Sequence, residues 1–106
     1  MDGNATLHDG YMSLTENSNQ TWFTQHLGKT IPIGTQVTAA FCDTNNKIHL
    51  TSTQIIEGGS GHHIGDGHFW IASSQLALVP SVGTTWNIKW VALYEGEYTI
   101  DTLPEY

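Results

Sequence analysis

A chain of 106 residues with ten carboxylates, three lysines and no arginine has a formal charge of −7 at pH 7. That balance excludes the cationic footprint phosphate backbones require, disfavours anionic membranes, and leaves uncharged partners: a neutral glycan, a zwitterionic or sterol-rich lipid surface, or another protein. The single cysteine, Cys42, excludes an internal disulfide, and no apolar run approaches the about 18 residues of a membrane-spanning helix.

The length is that of one domain, so residues 1–106 are read as a single unit around one core. The opening Met1-Asp2-Gly3-Asn4 has neither a basic region nor an apolar run. No signal peptide is expected, and the chain is expected in the cytoplasm or exported by a non-classical route. Tyr11 to Thr15 then alternates as a first strand, closed by the turn cluster Asn17-Ser18-Asn19. Thr21 to Leu27 follows, with Trp22, Thr24 and His26 on one face and Phe23, Gln25 and Leu27 on the other. Ile31-Pro32-Ile33-Gly34 puts proline and glycine where a tight turn wants them. Val37, Ala39 and Phe41 alternate with Thr38, Ala40 and Cys42, and Thr44-Asn45-Asn46-Lys47 joins that strand to Ile48–Thr51 as a hairpin.

From Gly58 to His68 the character changes: five of eleven residues are glycine and three are histidine. Glycine is costly to order, so this segment is read as a supple loop and the first candidate site. Phe69 to Ala72 is a strand, Ser73 to Val79 is ambiguous between strand and a short helical turn, and Pro80-Ser81-Val82-Gly83 is a turn. Thr85 to Trp90 alternates, which puts Trp86, Ile88 and Trp90 in the core, while the adjacent Trp90 and Val91 point to a bulge or a strand buried on both sides. Glu95-Gly96-Glu97 turns the chain into a last strand, Tyr98 to Thr102. Short strands between regular turn signals, with fourteen threonines suited to pleated surfaces, predict an all-β antiparallel sandwich of seven to eight strands.

Four chemistries compete for the Gly58–Trp70 segment. His62, His63, Asp66 and His68 are acceptable ligands for a divalent transition metal, although their spacing matches no structural zinc pattern and a solvated loop with incidental histidines is the simpler reading. A phosphate cradle is set aside, because no helix and no basic residue follow the glycines. Trp22, Asn45, Asn46, His62, His63, Asp66, His68 and Trp70 are the residue types that stack on sugar rings and bond to hydroxyls, so they form the candidate ligand-binding set. For catalysis, Ser60 with the loop histidines and Asp66, or Cys42 with His49 across the hairpin, would need tight preorganisation. A core thiol beside a surface imidazole is the simpler reading of the latter pair, and no catalytic residue is assigned.

The run from Tyr11 to Phe41, with its Asn-rich turn, Trp-bearing strand and Ile31-Pro32-Ile33-Gly34 turn, resembles the front of the aegerolysin family and its small insecticidal relatives. Gly96-Glu97-Tyr98-Thr99-Ile100-Asp101-Thr102-Leu103 is similar in type to that family's last strand. The resemblance implies a compact β-sandwich that recognises membrane lipids, often with a second protein, to form pores. The chain departs from the family in its shortness, in lacking the cysteine- and tryptophan-bearing segment before the last strands, and in lacking basic character, so no lipid-contact residue carries over. The leading expectation is therefore a non-enzymatic, lectin-like module without a resident cofactor, working as a homodimer for avidity, with lipid binding or a histidine-rich metal site as alternatives.

Overall fold

The computed structural model describes residues 4–15 and 23–104. The turn cluster at 17–19 and the ring of Trp22 lie outside them. Nine strands follow one another: β1 (Asn4–His8), β2 (Tyr11–Thr15), β3 (Phe23–His26), β4 (Gln36–Asp43), β5 (Ile48–Gln54), β6 (Ser60–His63), β7 (Gly67–Ile71), β8 (Gln75–Pro80) and β9 (Thr85–Glu95). They form a five-stranded sheet in the order β1-β2-β9-β4-β5 and a four-stranded sheet in the order β3-β8-β7-β6. Every pairing is antiparallel, so the molecule is the expected all-β sandwich. No helix occurs among the described residues, and hence none long and apolar enough to cross a membrane.

The core lies between the sheets. Leu14, Val37, Ala39, Phe41, Trp86 and Ile88 come from one sheet, Phe69, Ile71, Leu76 and Leu78 from the other, and Phe23 and Leu27 pack against them as the alternation requires. Ile31, Ile55 and Ile64, from connecting segments, plug the two ends of the sandwich. Each large side chain fully withdrawn from water contributes about 1.5–3 kcal/mol.

Several segments differ from expectation. β1, not anticipated, is a polar edge strand whose Leu7 is 83% exposed; it forms only because β2 offers it hydrogen-bond partners. The ambiguous run at 73–79 becomes the central strand β8, whose Leu76, Ala77, Leu78 and Val79 are all buried. A continuous apolar run has no period to read, and burial on both faces is the reason. Along β9 the partner of Asp43 is Ile88 but that of Cys42 is Trp90, a bulge that gives Lys89 no partner. The alternation therefore changes phase. Trp86 and Ile88 point into the core, while Trp90 turns to the outer face and Val91 takes the inner one.

The expected last strand, Tyr98 to Thr102, is a correction. Residues 97–104 contain a turn closed by Thr102 N–H to the Thr99 carbonyl, at 3.1 Å. The segment is tethered to the outer face of β4 by Thr38, which is 0% exposed. Thr38 Oγ1 donates to the Gly96 carbonyl at 2.9 Å, accepts the Tyr98 N–H at 3.1 Å and lies 2.7 Å from Ser52 Oγ.

Candidate functional site: a cleft at one end of the sandwich

The Gly58–His68 segment is a hairpin, not a supple loop. β6 pairs with β7 from Ser60↔Ile71 to His63↔His68, and the Ile64 N–H bonds the Gly67 carbonyl at 3.2 Å. Close packing accounts for Gly59 and Gly67, and positive φ for Gly58 and Gly65. A Cβ at Gly59 would lie 2.6 Å from Trp70 Nε1, so Gly59 makes room for the Trp70 indole, which also lies in ordinary contact range of Gly61, 3.5 Å from a Cβ there to Trp70 Cε3. A Cβ at Gly67 would meet the Val79 carbonyl oxygen at 2.4 Å and Trp86 Cζ2 at 2.7 Å.

Pairing also sorts the histidines by face, because strand neighbours alternate. His62 opposes the buried Phe69 and faces inward at the sandwich edge, where its Nε2 lies 2.7 Å from Ser60 Oγ. His63, His68 and Trp70 face outward. The expected four-ligand metal set of His62, His63, Asp66 and His68 is thus not brought together, and no group of three or more metal-ligating side chains occurs among the described residues. Asp66 joins neither Ser60 nor His62; its carboxylate makes no hydrogen bond or ion pair among the described residues.

Asp66 instead sits on the rim of a cleft of about 210 Å³ at the end of the sandwich. Three turns build it: the β4–β5 hairpin supplies Asp43, Thr44, Asn45 and His49, the β6–β7 turn supplies Gly65 and Asp66, and the start of β9 supplies Thr84 to Asn87. The Ser81 N–H donates to the Asp66 carbonyl at 2.8 Å, which fastens one rim turn to another. The floor is aromatic: Phe41 stacks on Trp86 and on His49, each at 4.6 Å between centroids. Phe69 meets Trp86 edge-on at 6.1 Å, so the floor is continuous with the core.

Asp43 organises one wall. Its Oδ1 accepts the N–H groups of Asn45 at 2.9 Å and Lys47 at 3.0 Å, and its Oδ2 accepts His49 Nε2 at 2.9 Å. The bond from His49 holds the Asp43 carboxyl below the ordinary carboxylate range; the Lys47 and Asn45 N–H groups add to that, outweighing desolvation. With Nε2 committed to Asp43, His49 turns Nδ1 toward Gly65, where a Cβ would lie 3.4 Å away. On the opposite wall Asn87 Oδ1 accepts Ser13 Oγ at 2.7 Å, which leaves its amide N–H groups as donors. The cleft lining contains two carboxylates and no lysine.

Of the candidate residues, the fold thus brings Asn45 and Asp66 into the cleft. Asn46 is a turn residue with φ of 63°, and its Oδ1 accepts Lys89 Nζ at 2.5 Å. Trp22 lies outside the described residues. Asp43, Asn87 and Trp86 were not anticipated in a site. The signal for Asp43 was the Asp-x-Asn-Asn-Lys turn composition; nothing local marks Asn87, which reaches the cleft only because β9 starts there. Cys42 is buried, as read, but pairs with Ile48 while His49 pairs with Phe41, so the thiol and the imidazole point to opposite faces.

The fold and the cleft together define a small two-sheet antiparallel β-sandwich with a polar, aromatic-floored end cleft. No protein-family model matches the chain, and neither the curated proteins nor the solved structures contain a detectable relative.

Proposed function

We propose that this chain is a non-enzymatic binding module of lectin type that holds one ring of an uncharged glycan in the end cleft. The carrying observation is the convergence of Asn45, Asp66 and Asn87, from three separate turns, above the Phe41–Trp86 stack. Amide and carboxylate groups of this kind bond to sugar hydroxyls, and an aromatic ring suits the apolar face of a sugar. The volume, below the about 300–1,000 Å³ of drug-sized pockets, fits a single ring. Two carboxylates in a lining without lysine disfavour an anionic ligand. Against the Cys42–His49 pair as a catalytic couple stand their opposed faces.

Glycan-array binding followed by calorimetry tests the reading. Asp66→Ala is expected to remove about 1.5–3 kcal/mol of affinity and Asn45→Ala about 0.5–1.5 kcal/mol, roughly 10- to 160-fold and roughly 2- to 12-fold, with the melting temperature unchanged. Absence of glycan binding, or full affinity in both variants, ends it.

A second reading, an aegerolysin-like binder of uncharged lipid, draws on the opposite end of the molecule. Ile33 and Ile56 are 60% and 47% exposed there. Their turns are joined by Gly34 N–H to the Ile55 carbonyl at 2.8 Å and Ile55 N–H to the Thr35 carbonyl at 2.9 Å. Flotation with phosphatidylcholine–sterol vesicles, abolished in Ile33→Asp/Ile56→Asp, would favour this reading over the glycan.

A further inference from the structure

We propose that His63 and His68 form a two-imidazole chelate for one divalent transition-metal ion on the outer face of the four-stranded sheet. The site is separate from the end cleft and does not depend on the glycan reading.

The argument starts from register. His63 closes β6, His68 is the second residue of β7, and the two are direct cross-strand partners. The Ile64 N–H to Gly67 carbonyl bond fixes the phase of the ladder. Residues 64 and 67 are a hydrogen-bonded pair, so the adjacent 63–68 pair is of the non-hydrogen-bonded kind, whose side chains approach most closely, with Cβ atoms about 4.5–5.5 Å apart. From that spacing two imidazoles can reach the about 2.0–2.1 Å nitrogen–metal distance at one ion.

The neighbouring glycine supplies the second observation. A Cβ at Gly61 would lie 3.5 Å from His68 Cδ2, an ordinary contact distance, so the His68 ring reaches over β6 on its Gly61 side, two residues before His63. A pair of imidazoles selects copper, nickel or zinc over calcium or magnesium, and two protein ligands leave the remaining coordination positions to water.

His62 supplies the internal control. It is the immediate neighbour of His63 in sequence but projects from the opposite face of β6. The experiment titrates untagged protein with copper(II) at neutral pH, by calorimetry and by paramagnetic broadening of ¹H–¹⁵N spectra. The expected result is one ion per chain, with broadening centred on His63, His68 and their strand neighbours. His63→Ala and His68→Asn should each weaken binding by at least about tenfold, because the second ligation is no longer intramolecular, while His62→Ala binds as the wild type does. Equal affinity in the wild type and both variants, an equal loss in His62→Ala, or broadening centred on His8, His26 or His49 would overturn the assignment. His63 is exposed, so its replacement leaves the fold intact, and the spectral map of the wild-type protein needs no variant.

Discussion

Asp43 shows how one carboxylate both closes a turn and sets a binding wall. It reads in sequence as an unremarked strand end, yet three donors converge on it: two backbone N–H groups and the His49 imidazole. Because its folded pKa lies below the unfolded reference of 3.8, it contributes stability that is present above pH 3.8 and lost as pH falls through the folded value. Asp43→Asn is therefore expected to destabilise the protein by about 1–3 kcal/mol at neutral pH and to flatten the acid limb of the stability curve. Urea unfolding of both proteins across the acid range measures this; parallel curves would show that Asp43 is not the group responsible. His49 is a related lesson. Its period-two position beside a turn is visible in sequence, but its partnership with Phe41 and Asp43 requires the hairpin register.

At the scale of elements, strands whose apolar residues alternate were legible and those without such a pattern were not. β2, β4 and β5 follow from alternation and turn chemistry, and the Thr44–Lys47 turn falls where its residues place it. β6 was hidden because glycine density reads as slack, whereas Gly59 makes room for the Trp70 indole. β8 was hidden by burial on both faces. The terminal segment was misread because Tyr98 to Thr102 alternates like a strand, yet no sheet edge receives it; Thr38 holds it instead. Thr38→Val removes the acceptor for the Tyr98 N–H and the donor for the Gly96 carbonyl. It is expected to cost about 1–3 kcal/mol and to speed amide exchange at Tyr98, with Thr38→Ser restoring protection. Unchanged exchange at Tyr98 would show that Thr38 is not what holds the segment.

At the scale of the whole molecule, charge dominates. Six histidines against a net −7 mean that protonating every imidazole would bring the net charge to about −1. Self-repulsion falls accordingly, and light scattering between about pH 7.5 and about pH 5 is expected to record self-association; a constant mass over that range would refute it. By itself the sequence determined the all-β class, most turns, the buried Cys42 and the strongly negative net charge, because side-chain period, turn propensity and net charge are local or additive properties. Only the tertiary structure decided which histidines share a face, where the β9 bulge shifts the phase from Trp86 to Trp90, and that Asn45, Asp66 and Asn87 meet at one cleft. Those outcomes depend on register between strands far apart in sequence, and a one-residue slip in register sends every side chain to the other face.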